Sequence, residues 1–117
     1  MSNPLDGSYP LSASFSTAVW PTRNSSAQTN EGSIQLTWSG LNAADSTAVI
    51  EGSDDGTNWN ELAKSDGTSN KITLVASSGS QIWQVIQFNT TYIRLTYAAG
   101  TNTAGTGVVV TYIISRD

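Results

Sequence analysis

The sequence predicts an all-β fold: a single antiparallel β-sandwich of about seven or eight strands. Three observations predict it. Apolar and polar residues alternate with period two along most of the chain, glycine-containing turns separate the runs, and no window keeps helical spacing for three turns behind a cap. We expect a jelly-roll-like sandwich, with an immunoglobulin-like sandwich as the alternative topology.

Four runs show the alternation most clearly and are rich in β-branched or aromatic residues, as half-buried strands are. Their alternating apolar members are Ala13, Phe15 and Val19; Ile34, Leu36 and Trp38; Ile93, Leu95 and Tyr97; and Val108, Val110, Tyr112 and Ile114. Three weaker runs, at 48–52, 72–76 and 81–88, fill the middle of the chain. Turns such as Asp55-Gly56 separate the runs, because glycine adopts positive φ without strain.

Residues 1–12, with Pro4, Gly7 and Pro10, are predicted as an extended N-terminal arm, and residues 13–117 as the sandwich domain. The arm is either a frayed terminus or a segment that packs on a neighbouring subunit. The first residues show neither a basic n-region nor an apolar h-region, so we expect no signal peptide and synthesis in the cytoplasm. No segment has the apolar length that a membrane span needs.

The composition is that of a folded chain with few charges. Of 117 residues, 38% are hydrophobic and 12% charged, which is too apolar for a disordered chain. The net charge is -4, and the five basic residues are scattered. Without a basic stripe, neither nucleic acid nor an anionic membrane is an expected partner.

The residue types argue against catalysis. The chain contains no histidine and no cysteine, so the usual general bases and nucleophiles are missing. A carboxylate pair for glycoside hydrolysis could come from Glu51, Asp54, Asp55 and Glu61. Because these lie on or beside one predicted turn, where carboxylates are solvated, we expect a protein that is not an enzyme.

The segment 50–60 is predicted as a strand, a tight turn with Gly56 at positive φ, and a second strand opened by Trp59. Asp54 and Asp55 can each hydrogen-bond the backbone two residues on, as in an Asx-turn. We therefore expect no cofactor, with a structural Ca²⁺ as the alternative, since Ca²⁺ needs six or more oxygen ligands. If the turn binds a ligand, Trp59 with Asp54, Asp55 and Asn58 forms the binding edge.

The other three tryptophans differ in phase. Trp38 is in phase with Ile34 and Leu36, so a core position is expected. Trp20 precedes a proline and Trp83 is out of phase with its neighbours, so each is either an exposed interface aromatic or a core residue.

Three features together resemble a known group of proteins. They are the segment Ile50–Leu62, the strand Tyr92-Ile93-Arg94-Leu95-Thr96-Tyr97 and the Gly/Thr-rich loop before a Val-rich last strand. They resemble the small β-sandwich structural proteins of tailed bacteriophages and prophages, and also the discoidin-type (coagulation-factor C) jelly roll. The resemblance covers about the last two-thirds of the chain.

The resemblance implies a non-enzymatic bacteriophage virion protein, a capsid decoration or head-fibre component that binds other virion proteins and itself. The expected location is the virion, and the expected state is a homo-oligomer, with a trimer indicating a fibre or spike. Trp20 and Trp83 are the candidate contacts. The alternative is a glycan-binding or adhesive β-sandwich module that uses the Trp59 edge.

Overall fold

The computed structural model of the chain describes residues 6–17, 20–21, 29–62, 67–88 and 92–116. Within the strands, the side chains of residues 20–21, 29–31, 85–88 and 113–116 lie outside this description. The described residues form ten β-segments, and none forms a helix that could span a membrane. The segments are β1 (Gly7–Pro10), β2 (Phe15–Ser16), β3 (Trp20–Pro21), β4 (Thr29–Ser39), β5 (Ser46–Ser53), β6 (Asn60–Glu61), β7 (Ile72–Leu74), β8 (Gly79–Phe88), β9 (Tyr92–Ala98) and β10 (Thr106–Arg116).

The segments form two antiparallel sheets that make a sandwich. Sheet I has the order β1-β10-β4-β8, and sheet II has the order β2-β9-β5-β6. Because β3 also pairs with β9 and β7 also pairs with β5, the ten described segments act as eight strands, four in each sheet. The chain crosses between the sheets at nearly every connection, which is jelly-roll connectivity. The predicted all-β sandwich is confirmed, with the jelly-roll order rather than the immunoglobulin-like one.

Apolar side chains from the two inner faces fill the space between the sheets. The core members are Leu11, Ile34, Leu36, Trp38, Leu41, Ala48, Ile50, Leu74, Trp83, Ile93, Leu95, Tyr97, Ala99 and Val109. The alternation predicted for β4 and β9 is confirmed, since Ile34, Leu36, Ile93, Leu95 and Tyr97 are each 0% exposed.

In β10, the alternating apolar set that the sequence pattern favours for the core faces outward. Val108, Val110 and Tyr112 point outward and are 42%, 52% and 64% exposed, whereas Val109 is 1% exposed. Both alternating sets of this strand contain β-branched residues, so alternation alone does not distinguish them. Pairing decides the phase, because Val109 lies opposite Leu36, whose side chain is in the core.

The described part of the predicted arm packs on the sandwich. Residues 7–10 form β1 and pair with the 106–109 end of β10, and Leu11 is 0% exposed. Tyr9 stacks on Phe15 at 4.6 Å between ring centroids, and Phe15 stacks on Tyr97 at 5.1 Å. Burial of Leu11 and these stacked rings is the apolar contribution that holds this segment in place.

Two tryptophans, Trp38 and Trp83, belong to the core. Trp38 is 8% exposed, as predicted, and its Nε1–H donates to the carbonyl of Ala76 at 3.0 Å. Trp83 is 5% exposed and donates to the carbonyl of Asn70 at 2.7 Å, so the core alternative applies and the side chain is not an exposed contact. Trp20 pairs with Ile93 through β3, but its side chain lies outside the described residues.

Candidate functional site

Asp55 organises the turn after β5. Its Oδ1 accepts hydrogen bonds from the Ser53 hydroxyl at 3.0 Å and from the N–H groups of Thr57 and Asn58 at 2.8 Å each. Its Oδ2 accepts from the Asn58 side-chain amide at 2.7 Å. Gly56 follows with φ of +76°, the left-handed conformation that the sequence predicts there.

These four donors explain the electrostatics of Asp55. Hydrogen bonds to a carboxylate favour its charged form, and the backbone N–H groups of Asn58 and Thr57 hold the pKa of Asp55 far below its usual range. Both oxygens are thus occupied by the turn itself. Among the residues that the structure describes, no group of three or more acidic, histidine or cysteine side chains is placed to hold a metal ion.

Asn70 closes the edge of β5 between β6 and β7. Its Oδ1 accepts from the N–H of Ile50 at 2.8 Å, and its Nδ2 donates to the carbonyl of Ile50 at 2.9 Å and to that of Leu62. The side chain therefore supplies the acceptor for the N–H of Ile50, and it adds a donor to each of the two carbonyls. It is 6% exposed.

Glu61 fixes the position of Asn70 from the other side. Its Oε2 accepts from the N–H of Asn70 at 2.6 Å. Hydrogen bonds from the Ser69 side chain and from this N–H lower the pKa of Glu61. The two residues lock β6 and the 67–70 segment onto β5, and so give the turn a rigid base.

Trp59 packs against a cation on sheet II. The guanidinium carbon of Arg94 lies 4.2 Å from the centroid of the Trp59 ring, within cation–π distance. Nε of Arg94 also donates to Oε1 of Glu51 at 2.8 Å, and the Thr96 hydroxyl donates to the same oxygen at 2.8 Å. Trp59 lies at the end of its own hairpin and is half-buried. Its ring also contacts β9, through the side chain of Arg94.

A cleft of about 320 Å³ opens at the edge of this turn. Six of its eight lining residues have polar side chains, and the other two are a glycine and a leucine. The lining residues are Gly52, Ser53, Asp54, Asp55, Asn58, Asn60, Glu61 and Leu62. Asn60 is exposed, and its side-chain amide makes no hydrogen bond to any described residue. That amide and Oδ1 of Asn58 are the groups of the cleft that the fold leaves available to a ligand.

Three predicted site residues meet in this cleft: Asp54, Asp55 and Asn58. Trp59 lies between two lining residues in the chain but does not itself line the cleft. Asn60 was not among the predicted site residues. The signal was its hairpin register, because Asn60 pairs with Gly52, which has no side chain to fill the space opposite.

Arg94 was also missed as a site residue, although its strand was quoted for the resemblance. Its partner Glu51 lies directly opposite it on β5, and this pairing of two non-consecutive strands is invisible to local pattern. The Arg94–Glu51 pair thus joins the two central strands of sheet II, and the contact of Arg94 with Trp59 joins the turn to them.

A scan against models of known protein families finds no match, and a search of curated proteins finds none either. Among the solved structures that are similar in fold are two carbohydrate-binding modules. One is TmCBM61 in complex with beta-1,4-galactotriose, at a TM-score of 0.41 and 13% identity, covering 93% of this chain and 69% of that one. The other is CBM32-3 from a family 31 glycoside hydrolase of Clostridium perfringens, at a TM-score of 0.33 and 17% identity, covering 88% of this chain and 76% of that one.

Proposed function

We propose that this protein is a glycan-binding β-sandwich domain that takes uncharged sugars in the cleft at the 53–62 turn. The observation that carries the proposal is two side-chain groups without a hydrogen-bond partner among the described residues, the amide of Asn60 and Oδ1 of Asn58, at a cleft of about 320 Å³. Small-ligand sites are typically about 300–1,000 Å³ and place a few polar groups to fix orientation. A sugar presents vicinal hydroxyls, and each can donate to and accept from a planar amide.

The charges of the cleft select against acidic ligands. Asp54 and Glu61 line it, and the nearby Arg94 is paired with Glu51, so its charge is balanced. The whole chain carries a net charge of -4. These carboxylates would repel an acidic sugar, whereas the hydroxyl groups of a neutral sugar can donate hydrogen bonds to carboxylates without that repulsion.

The turn suits binding because it is held rigid before a ligand arrives. Asp55, Asn70 and Glu61 commit their hydrogen bonds to the fold, so little ordering is needed on binding. Trp59 is held by Arg94 beside the cleft, where a bound sugar would change its surroundings.

The test is titration of neutral and acidic oligosaccharides, with Trp fluorescence and calorimetry as readouts. Asn60→Ala should weaken binding of a neutral glycan about 3- to 10-fold for each hydrogen bond lost. The matched control is Thr106→Ala, an exposed polar side chain on sheet I away from the cleft, which should bind like the parent protein. Absence of binding to any neutral glycan, or equal affinity of Asn60→Ala and the parent, would contradict the proposal.

The predicted role in a bacteriophage virion, with location on the particle, stays a prediction, and so does the predicted lack of enzymatic activity. Sedimentation with purified particles would test the first.

A further inference from the structure

One strand edge of the sandwich differs from all the others in length. The outer segments β1, β2, β3, β6 and β7 have four, two, two, two and three residues. β8 has ten residues and ends sheet I, and among the described residues only β4 pairs with it. Short strands are one way in which proteins keep an edge from pairing with another chain, so among the described strands β8 is the long edge without this protection.

The residues of β8 do not protect it either. The run Gly79-Ser80-Gln81-Ile82-Trp83-Gln84-Val85-Ile86-Gln87-Phe88 contains no charged residue and no proline. Lysine and proline are what natural edge strands use to block pairing, and β1, the opposite edge of sheet I, ends in Pro10. The composition of β8 is that of a strand which accepts a neighbour.

The edge is also held in place for pairing. Trp83 is 5% exposed and donates to the carbonyl of Asn70 at 2.7 Å, which fixes β8 to the interior. On the outer face, Ile82 is 52% exposed. Ile82 lies opposite Gln35 of β4, and Gln35 lies opposite Val110 of β10. The outer face of sheet I therefore carries one exposed apolar side chain on β10 and another on the edge strand β8.

We propose that the protein forms a twofold dimer by antiparallel pairing of β8 with β8 of a second copy. A twofold axis through the edge sets the strand antiparallel to itself and joins two four-stranded sheets into one of eight strands. The occupant is a second copy because β8 is uncharged in a chain of net charge -4. Two copies meet there without opposing like charges, whereas a charged peptide finds no complementary side chain on this edge.

The test is sedimentation velocity of the full chain over a range of concentrations, with lysine placed on the edge or away from it. Ile82→Lys sets two like charges close to the twofold axis and should weaken the dimer at least about tenfold. The matched control is Val110→Lys, since Val110 has the same 52% exposure on the same face but lies on an inner strand. It should leave the dimer intact.

Two further measurements test the dimer if Ile82→Lys folds poorly. Gln84→Lys changes a second exposed position of β8 and should also dissociate the dimer. Hydrogen exchange of the 79–88 amides should slow as protein concentration rises, because the edge amides become paired. A protein that stays monomeric at all concentrations overturns the proposal, and so does equal dissociation by Ile82→Lys and Val110→Lys, which would place the contact on the sheet face.

Discussion

Replacing Asn70 by alanine should destabilise the fold through backbone groups of other residues. The side chain accepts from the N–H of Ile50 and donates to the carbonyls of Ile50 and Leu62. The bonds made by the backbone of Asn70, to Glu61 and Trp83, do not depend on its side chain. Asn70→Ala therefore removes only the side-chain hydrogen bonds to the backbone of Ile50 and Leu62 at the edge of β5.

The expected cost follows from what is left unpaired. Ile50 is 0% exposed, and its N–H loses its acceptor, whereas its carbonyl keeps the hydrogen bond from the N–H of Leu62 at 3.0 Å. The Leu62 carbonyl loses one donor. A buried unsatisfied polar group costs about 1–3 kcal/mol, so we expect a loss of about 3 kcal/mol in the free energy of unfolding. For a domain of this size that corresponds to a fall in Tm of about 10 °C.

Urea unfolding followed by circular dichroism measures this loss directly. The matched control is Asn60→Ala, an exposed asparagine whose side chain makes no hydrogen bond to the described residues, and its stability should change by less than about 0.5 kcal/mol. Asn70→Ala with a stability like that of Asn60→Ala would refute the reasoning, because it would mean that water satisfies Ile50 at no cost.

Two other predictions concern the core of sheet I and the turn. Gly79→Ala should destabilise by about 1–3 kcal/mol, measured by urea unfolding, because a Cβ at Gly79 would lie 2.5 Å from Cζ2 of the buried Trp38 ring. Asp55 has a folded-state pKa below its unfolded value, so its contribution to stability is present above about pH 4 and is lost as the pH falls further. The urea midpoint of the parent should therefore drop below about pH 4 more steeply than that of Asp55→Asn, and parallel midpoints would exclude this role for Asp55.

The local sequence pattern was sufficient to predict the buried face of a strand where one alternating set is apolar and the other polar. In β4 the apolar set Ile34, Leu36 and Trp38 alternates with serine, glutamine and threonine, so only one face could be buried. In β10 both sets contain valine or isoleucine, and local pattern could not separate them. The position of Gly56 was predictable for the same local reason, because a tight turn needs positive φ at a residue without a Cβ.

The candidate site was predictable only in part. Asp54, Asp55 and Asn58 are close in sequence, so their meeting in one turn followed from the turn itself. The role of Asp55 did not follow, since only the structure shows that its oxygens are occupied by the turn. Asn70 and Asn102 are polar in sequence yet 6% and 2% exposed, because each satisfies backbone groups from distant segments.

The sequence by itself determined an all-β sandwich with a glycine turn before Trp59, because period-two alternation and positive φ are local properties of the chain. Tertiary structure alone decided which face of β10 is buried, that Trp83 belongs to the core, and that Arg94 lies against Trp59. It also decided that β8 is a long edge strand. These features depend on which strands pair and in which register, and pairing joins residues whose separation along the chain hides their contact.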